Sequence, residues 1–155
     1  MAGMPALAEM SSIDPSRVIH EVADPGQDAD AKPKYSIKFG VCGMSHDHIF
    51  GMVGAIQRGG GVLVAAYGAE PDKVAGFKKR FPDAKMVSSE EEILNDSSIQ
   101  LVLSSTIPDQ RAPLGVRVMK RGKDYLSDKP GATSLAQIEE IRKTIAETKK
   151  IYGIL

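Results

Sequence analysis

The chain has 155 residues, of which 42% are hydrophobic and 26% charged, and its 20 basic and 20 acidic residues give a formal net charge of +0. This length allows one domain that buries roughly two-thirds of its unfolded surface, and the balanced charge excludes recruitment of nucleic acid or an anionic membrane by bulk electrostatics. Cys42 is the one cysteine, which excludes an internal disulfide bond and is typical of a reducing compartment.

The N-terminal residues show no export signal, because residues 1–10 lack a basic region followed by an apolar core. No apolar run approaches the roughly 18 residues that a membrane helix needs. We therefore expect a cytoplasmic protein with no membrane partner. Residues 1–34 are interpreted as an N-terminal extension and linker, with a short helix over 16–22, and the packed domain is expected to span 35–155.

Residues 36–51 predict a strand, a tight turn and a helix. The apolar run 37–42 is typical of a buried strand, and apolar residues return at helical spacing after the turn at Gly43. Such a turn presents backbone N–H groups at the positive end of a helix, where a phosphate binds favourably. The full G-x-G-x-x-G fingerprint is not present, because a register from Gly43 places Ser45 and His48 at the second and third glycine positions.

The rest of the sequence alternates short buried strands with helices. Further strands are predicted at 62–67, 85–87, 99–104, 124–127 and 151–155. Helices are predicted at 73–81, from Ser88 or Ser89, at 112–121 with Pro113 in the first turn, and from the capping residue Ser134 with an inward face of Leu135, Ile138, Ile141 and Ile145.

This alternation predicts a doubly wound α/β fold of the Rossmann type, with a parallel sheet and right-handed crossovers. Ligands of such folds bind outside the carboxyl ends of the strands. Four segments are therefore expected to meet at one rim: Gly43 to His48, Gly68 to Glu70, Ser105 to Asp109 and Asp128 to Pro130. The apolar last strand from Ile151 would expose an edge, which predicts a homo-oligomer.

The most specific motif is Arg121-Gly-Lys-Asp-Tyr-Leu-Ser-Asp128-Lys129-Pro130, which is similar to Ala-Gly-Lys-His-Val-x-x-Glu-Lys-Pro of the glucose-fructose oxidoreductase and inositol dehydrogenase family (Gfo/Idh/MocA). The segment Thr106-Ile107-Pro108-Asp109 resembles the Thr-Pro-Asn turn of that family with one residue inserted, and residues 70–75 match as well. The resemblance to the nucleotide-binding domain of the family extends from about residue 37 to 155.

The resemblance implies an NAD(P)-dependent oxidoreductase that acts by hydride transfer on a sugar, polyol or related alcohol. It implies NAD or NADP across the rim, with Lys129 as the catalytic residue beside the nicotinamide and the substrate hydroxyl. A cation there can stabilise developing charge and relay a proton. The implied cofactor-binding residues are Gly43, Ser45 and His46 at the pyrophosphate, Gly68, Ala69 and Glu70 at the adenosine ribose, Ser105, Thr106, Ile107 and Pro108 at the centre, and Asp128, Lys129 and Pro130 at the nicotinamide.

The sequence also departs from the family pattern. The acid that often follows the second strand falls near Gly68, with Glu70 the one acid close by, so the sequence leaves NAD and NADP open. The histidine after the Thr-Pro-Asn turn is replaced at about Ala112. Members of the family carry a downstream substrate domain that these 155 residues do not contain. We therefore expect no turnover by this chain alone, expect an oxidoreductase if it is part of a longer parent, and leave the substrate unassigned.

The departures support an alternative function, a non-catalytic nucleotide-sensing or protein-interaction module that retains the fold. Under that alternative Lys129 is an ordinary surface lysine in a strand-end turn. His46 and His48 could be half of a metal site, but no third and fourth ligands follow at a recognisable spacing, so no metal is predicted. The alternative interpretations are that His46 neighbours the cofactor and that His48 packs in the first helical turn.

Overall fold

The computed structural model describes Pro33 and residues 35–155. The extension and linker predicted for 1–34, with the helix at 16–22, lie outside the described residues apart from Pro33. The strands are β1 Lys38–Cys42, β2 Val62–Tyr67, β3 Lys85–Met86, β4 Leu101–Ser104, β5 Asp124–Ser127 and β6 Tyr152–Ile154. The helices are α1 His48–Arg58, α2 Pro71–Arg80, α3 Glu90–Asn95, α4 Pro108–Lys120 and α5 Leu135–Thr148.

The strands form one sheet in the order β3-β2-β1-β4-β5-β6, and every neighbouring pair is parallel. β1 lies inside the sheet, where Gly40 is in register with Ala65 of β2 on one side and Val102 of β4 on the other. The strand order reverses between β1 and β4, and this reversal is where doubly wound folds bind ligands. The predicted doubly wound α/β fold is confirmed.

Two apolar cores lie on opposite faces of the sheet, because successive residues of a strand point to opposite sides. Helices α1 and α2 cover one face and helices α3 and α4 the other. The first core contains Phe39, Val41, Ile49, Met52, Val53 and Phe77. The second contains Cys42, Ile93, Leu94, Val102, Leu114 and Val118.

Helix α4 begins earlier than the sequence predicts, at Pro108 rather than Ala112, so Pro113 lies inside the helix. Pro108 suits the first helical position, where no N–H group is needed. Pro113 has no N–H group to bond to the carbonyl of Asp109, four residues before it. The Nε2 group of Gln137 in α5 donates to that carbonyl at 3.1 Å. This contact explains how the helix accommodates an internal proline.

The predicted inward face of α5 is wrong at its start. Leu135 and Ile138 are 78% and 44% exposed, whereas Ile141 and Thr144 are buried. Gln137 bonds to α4, so its side chain lies on the α4 side of the helix. Since successive residues of a helix are rotated by about 100°, Ile141 and Thr144 then fall on the Gln137 side, and Leu135 falls on the opposite side.

β6 lies at one end of the sheet, and within the described part of the chain its pairing partner is β5. Ile151, Ile154 and Leu155 are each more than half exposed beside this edge. The self-association and the cytoplasmic location expected from the sequence stay predictions. In residues 35–155, no helix is both long and apolar enough to cross a membrane.

Gly115 and Gly76 give a matched test of the packing, since both lie within helices. A Cβ atom at Gly115 would contact Tyr152 and lie 2.5 Å from Cδ1 of Tyr125, whereas one at Gly76 would meet nothing within 4 Å. We expect Gly115→Ala to lower the free energy of unfolding by about 1–3 kcal/mol through overpacking. Gly76→Ala should raise it by about 0.5–1 kcal/mol. Urea denaturation measures both, and equal effects would contradict the described packing of α4.

Candidate functional site

The turn after β1 contacts the turn after β4 at a glycine. Gly43 has a φ of +85°, and a Cβ atom added to it would lie 2.6 Å from Cβ of Thr106. The Gly43 N–H group donates to the carbonyl of Tyr67 at 2.9 Å, and its carbonyl accepts from the N–H group of Ser105 at 3.1 Å. Gly43 therefore allows a close approach between two turns that any side chain would separate.

Ser105 fixes the position of His46. The His46 N–H group donates to the carbonyl of Ser105 at 3.1 Å, and the Ser105 hydroxyl donates to the carbonyl of His46 at 2.7 Å. Asp47 then precedes α1 without capping it, and its carboxylate accepts from Nζ of Lys73 at 3.0 Å. In the first turn of α1 the N–H groups of Ile49 and Phe50 donate to the carbonyls of His46 and Asp47, which leaves the N–H group of His48 as a donor to an anion.

A cleft of about 450 Å³ opens at the reversal of strand order, and we call it the switch-point cleft. The Ser45 hydroxyl donates to Oε1 of Glu70 across it, at 2.6 Å. Six of the sequence-predicted residues line the cleft: Gly43, Ser45, Ala69, Glu70, Thr106 and Ile107. The other lining residues are Cys42, Tyr67, Glu90, Asp109, Gln110, Pro113, Leu114 and Arg117.

A second depression of about 430 Å³, the Lys129 depression, is lined by Asp47, His48, Gly51, Met52, Asp128, Lys129 and Leu155. The predicted residues Asp128 and Lys129 lie here, and the peptide bond between Lys129 and Pro130 is cis. His46, Gly68, Ser105, Pro108 and Pro130 line neither cavity. They belong to the same strand-end turns and support residues that do.

Asp128 is 3% exposed, and its carboxylate makes three interactions. Its Oδ2 accepts from Nη2 of Arg111 at 3.0 Å. Its Oδ1 accepts from the Lys129 N–H group at 2.8 Å and lies 2.9 Å from Nδ1 of His48. Burial favours the neutral acid, but the hydrogen bonds from His48 and Lys129 and the charge of Arg111 together hold the pKa of Asp128 below its ordinary value. The carboxylate therefore remains ionised at neutral pH.

Arg111 holds the turns after β4 and β5 together from inside the protein. It is 1% exposed, its Nε donates to the carbonyl of Thr106 at 2.7 Å, and its Nη1 donates to the carbonyls of Lys129 and Pro130. Sequence reasoning missed Arg111 because an arginine just before a predicted helix is normally exposed. The clue that the sequence offered to Arg111 is its position three residues after Pro108, which places it in the first turn of α4.

The described residues also bear on Cys42 and on the histidines. Cys42 is buried, and burial raises the pKa of its thiol, so the protonated thiol is a poor nucleophile. His48 lies at the start of α1 and bonds to Asp128 rather than to a metal ligand set. Among residues 35–155, no group of three or more His, Cys, Asp and Glu side chains could hold a metal ion.

A family model described as an oxidoreductase family with an NAD-binding Rossmann fold, Gfo/Idh/MocA, matches residues 37–155. A 1,5-anhydro-D-fructose reductase of Ensifer adhaerens is 26% identical over 102 residues, which are 66% of this chain and 31% of the relative. The crystal structure of a protein described as an oxidoreductase from Erwinia carotovora atroseptica is 31% identical with a TM-score of 0.75, covering 76% of this chain and 35% of its own.

The fold is also shared with the WlbA dehydrogenase of Bordetella pertussis, solved with NADH and UDP-GlcNAcA, at 19% identity and a TM-score of 0.68. That match covers 81% of this chain and 36% of the dehydrogenase. The chain thus spans about a third of the length of the proteins that it matches. The family resemblance predicted from the sequence is confirmed.

The buried pair of Arg111 and Asp128 generates a stability prediction. Arg111→Met leaves the Asp128 carboxylate buried without its cation, and we expect a loss of about 3–5 kcal/mol in the free energy of unfolding. Adding Asp128→Asn should recover part of that loss, because no buried charge then remains. Arg121→Met, which removes an exposed partner of Glu91, is the control and should cost about 0–1 kcal/mol. An equal cost for both arginines in urea denaturation would contradict the role given to Arg111.

Proposed function

Because the chain belongs to the Gfo/Idh/MocA oxidoreductase family through its NAD-binding Rossmann domain, we propose that the protein is an NAD(P)-dependent oxidoreductase that transfers a hydride from an alcohol carbon, or to the corresponding carbonyl carbon in the reverse direction. We propose a sugar, polyol or related compound as its substrate. Residues 35–155 would form the dinucleotide-binding domain, preceded by an extension and linker at 1–34. The observation that carries the proposal is that Asp128 and Lys129 lie at the carboxyl end of the parallel sheet, as the Gly43 turn does.

The residues of the site suit a nicotinamide dinucleotide. Gly43 keeps the turn after β1 free of a side chain, and the first residue of α1, His48, would offer its backbone N–H group to a pyrophosphate. The switch-point cleft lies on one side of that turn, and Asp47 and His48 line the Lys129 depression on the other. An extended ligand with an anionic centre would therefore have a cavity for each end and the His48 N–H group as a donor between them.

When bound, the nicotinamide supplies the acceptor or donor of the hydride. Lys129 would hold the substrate oxygen with its ammonium group, stabilise charge that develops there and exchange the proton of the hydroxyl. Asp128 and Arg111 act through Lys129 rather than on the substrate, because they bond to its N–H group and its carbonyl. They fix the backbone from which the lysine side chain extends.

His48 is a second polar group beside Lys129. Its Nδ1 bonds to the buried carboxylate of Asp128, which fixes the ring and leaves Nε2 as the nitrogen for further bonding. The side chain is 58% exposed in the Lys129 depression. His48 would therefore orient the substrate hydroxyl or share its proton with Lys129.

The Gly43 turn provides the first test of the proposal. Calorimetric titration of the chain with NAD+, NADH, NADP+ and NADPH should show saturable binding of at least one redox pair. Gly43→Ala forces a side chain against Thr106 at a positive φ, so the turn must move from the position in which it would contact the pyrophosphate, and we expect an affinity loss of about tenfold or more. Gly76→Ala is the matched control, and its affinity should equal that of the wild type.

Absence of binding by all four dinucleotides to a folded wild-type chain would contradict the proposed function. Wild-type affinity in a folded Gly43→Ala variant would contradict the position given to the dinucleotide. Near-ultraviolet circular dichroism on each variant confirms that the fold is retained, so that a loss of affinity is not a loss of structure.

Lys129 provides the second test. Assays of the whole protein against a panel of sugars and polyols would follow the ultraviolet absorbance of the reduced nicotinamide. Lys129→Met should lower kcat by about 10²–10⁴-fold, the range expected for a lost proton-transfer group, while the affinity for the dinucleotide changes little. Lys143→Met, at an exposed position of α5, should leave kcat unchanged. Retained turnover in Lys129→Met would exclude the catalytic role of the lysine.

A further inference from the structure

A polar cavity of about 330 Å³ lies at the end of the sheet opposite to the proposed cofactor site, and we call it the amino-end cavity. Its lining includes the residues directly before β1, β4 and β5, at the amino ends of these parallel strands, and Lys150, two residues before β6. The lining shares no residue with the switch-point cleft or the Lys129 depression. A ligand in this cavity would therefore be separate from the dinucleotide.

Two side chains of the lining retain a hydrogen-bond donor for a ligand. Lys123 is 3% exposed, and its Nζ donates to the carbonyls of Asp96 at 2.6 Å and Ile99 at 3.0 Å. An ammonium group has three hydrogens to donate, and among residues 35–155 the third has no acceptor. The Oε1 of Gln100 accepts from a backbone N–H group of β1 at 3.0 Å, which leaves its Nε2 group as the second donor.

Positive charge predominates in the lining of the amino-end cavity. The lining contains three cations, Arg121, Lys123 and Lys150, and one carboxylate, that of Asp124. Arg121 is paired at the surface with Glu91, whereas Lys150 has no ion-pair partner in the part of the chain that the structure describes. The Oδ1 of Asp124 already accepts from a backbone N–H group at 3.0 Å. The ammonium groups of the two lysines are therefore the charges left for an anion.

The cations of this cavity repel one another. Burial lowers the pKa of Lys123, the carboxylate of Asp96 opposes this shift, and the charges of Arg121 and Lys150 lower the pKa further. Asp96 thus offsets only part of the cost of holding a charged lysine inside the protein. An anion in the cavity would reduce the repulsion and accept the remaining hydrogen of Lys123.

We infer that the amino-end cavity binds a phosphate group, either inorganic phosphate or a phosphomonoester, through Lys123, Lys150 and Gln100. The three cations and one carboxylate of the lining leave an excess of two positive charges, which matches a phosphate dianion better than a monovalent anion. The phosphate oxygens would accept from both ammonium groups and from the Gln100 amide. This inference does not rest on the proposed function, because no residue of the lining belongs to the proposed cofactor site.

Calorimetric titration of the chain with inorganic phosphate and, separately, with glucose 6-phosphate tests the inference at constant ionic strength. We expect saturable binding of at least one of them, and the tighter of the two identifies the form that the cavity takes. Lys150→Met removes one ammonium group, so the affinity should fall about tenfold or more, the effect of one charge-assisted hydrogen bond. Lys143→Met, at an exposed position of α5 that does not line the cavity, should leave the affinity unchanged.

Asp124→Asn is a second variant, for which the inference requires a gain of affinity. The amide oxygen can still accept the backbone N–H group, and loss of the negative charge should tighten phosphate binding by about threefold or more. Absence of saturable binding to the wild-type chain would overturn the inference. Equal phosphate affinities in the wild type and a folded Lys150→Met variant would also overturn it, because the phosphate would then lie elsewhere. Either result would leave the dinucleotide titration, and with it the proposed function, unaffected.

Discussion

The candidate site depends on one buried ion pair, Arg111 with Asp128. Arg111 reaches from α4 to the carbonyl of Thr106 after β4 and to those of Lys129 and Pro130 after β5. Asp128 also connects the turn after β1, because its Oδ1 bonds to His48 at the start of α1. Loops carry functional residues but are the more mobile parts of most proteins. Here one desolvated charge pair ties the turns after three strands into a fixed frame for Lys129.

The sequence determines the fold more directly than the site. Alternating apolar strands and helices specify a parallel sheet, and right-handed crossovers leave few alternative strand orders. Periodicity fails at the start of α5, where Gln137 bonds to the carbonyl of Asp109 and Leu135 and Ile138 are exposed. The sequence pattern places the start of α4 too late, because Pro113 suits a first helical turn, whereas Pro108 occupies that position in the structure.

The site residues were predictable as segments rather than as interactions. The turns that contain Gly43, Glu70, Thr106 and Lys129 lie together at the carboxyl ends of the strands, because strand direction and strand order require it. The hydrogen-bond partners at this site are distant from each other in the sequence, as Ser45 is from Glu70 and His48 is from Asp128. A buried arginine leaves no local signal either, since its burial depends on acceptors that are distant in sequence. Such pairings can be identified only from the three-dimensional structure.

Each residue that stands in place of a fingerprint glycine bonds to a residue in another strand-end turn. Ser45, at the second glycine position, bonds to Glu70, and His48, at the third, bonds to Asp128. Met44 lies between these positions and the glycine at 68, which leaves room for it.

The same reasoning bears on the choice between an enzyme domain and a non-catalytic module. A buried ion pair is seldom more stable than well-packed apolar side chains of similar volume, so stability alone gives little reason to keep Arg111 and Asp128. Their bonds converge on the backbone of Lys129, which a protein-interaction surface would not need to hold rigidly. The proposed oxidoreductase needs a fixed backbone at Lys129, and the bonds of Arg111 and Asp128 supply one.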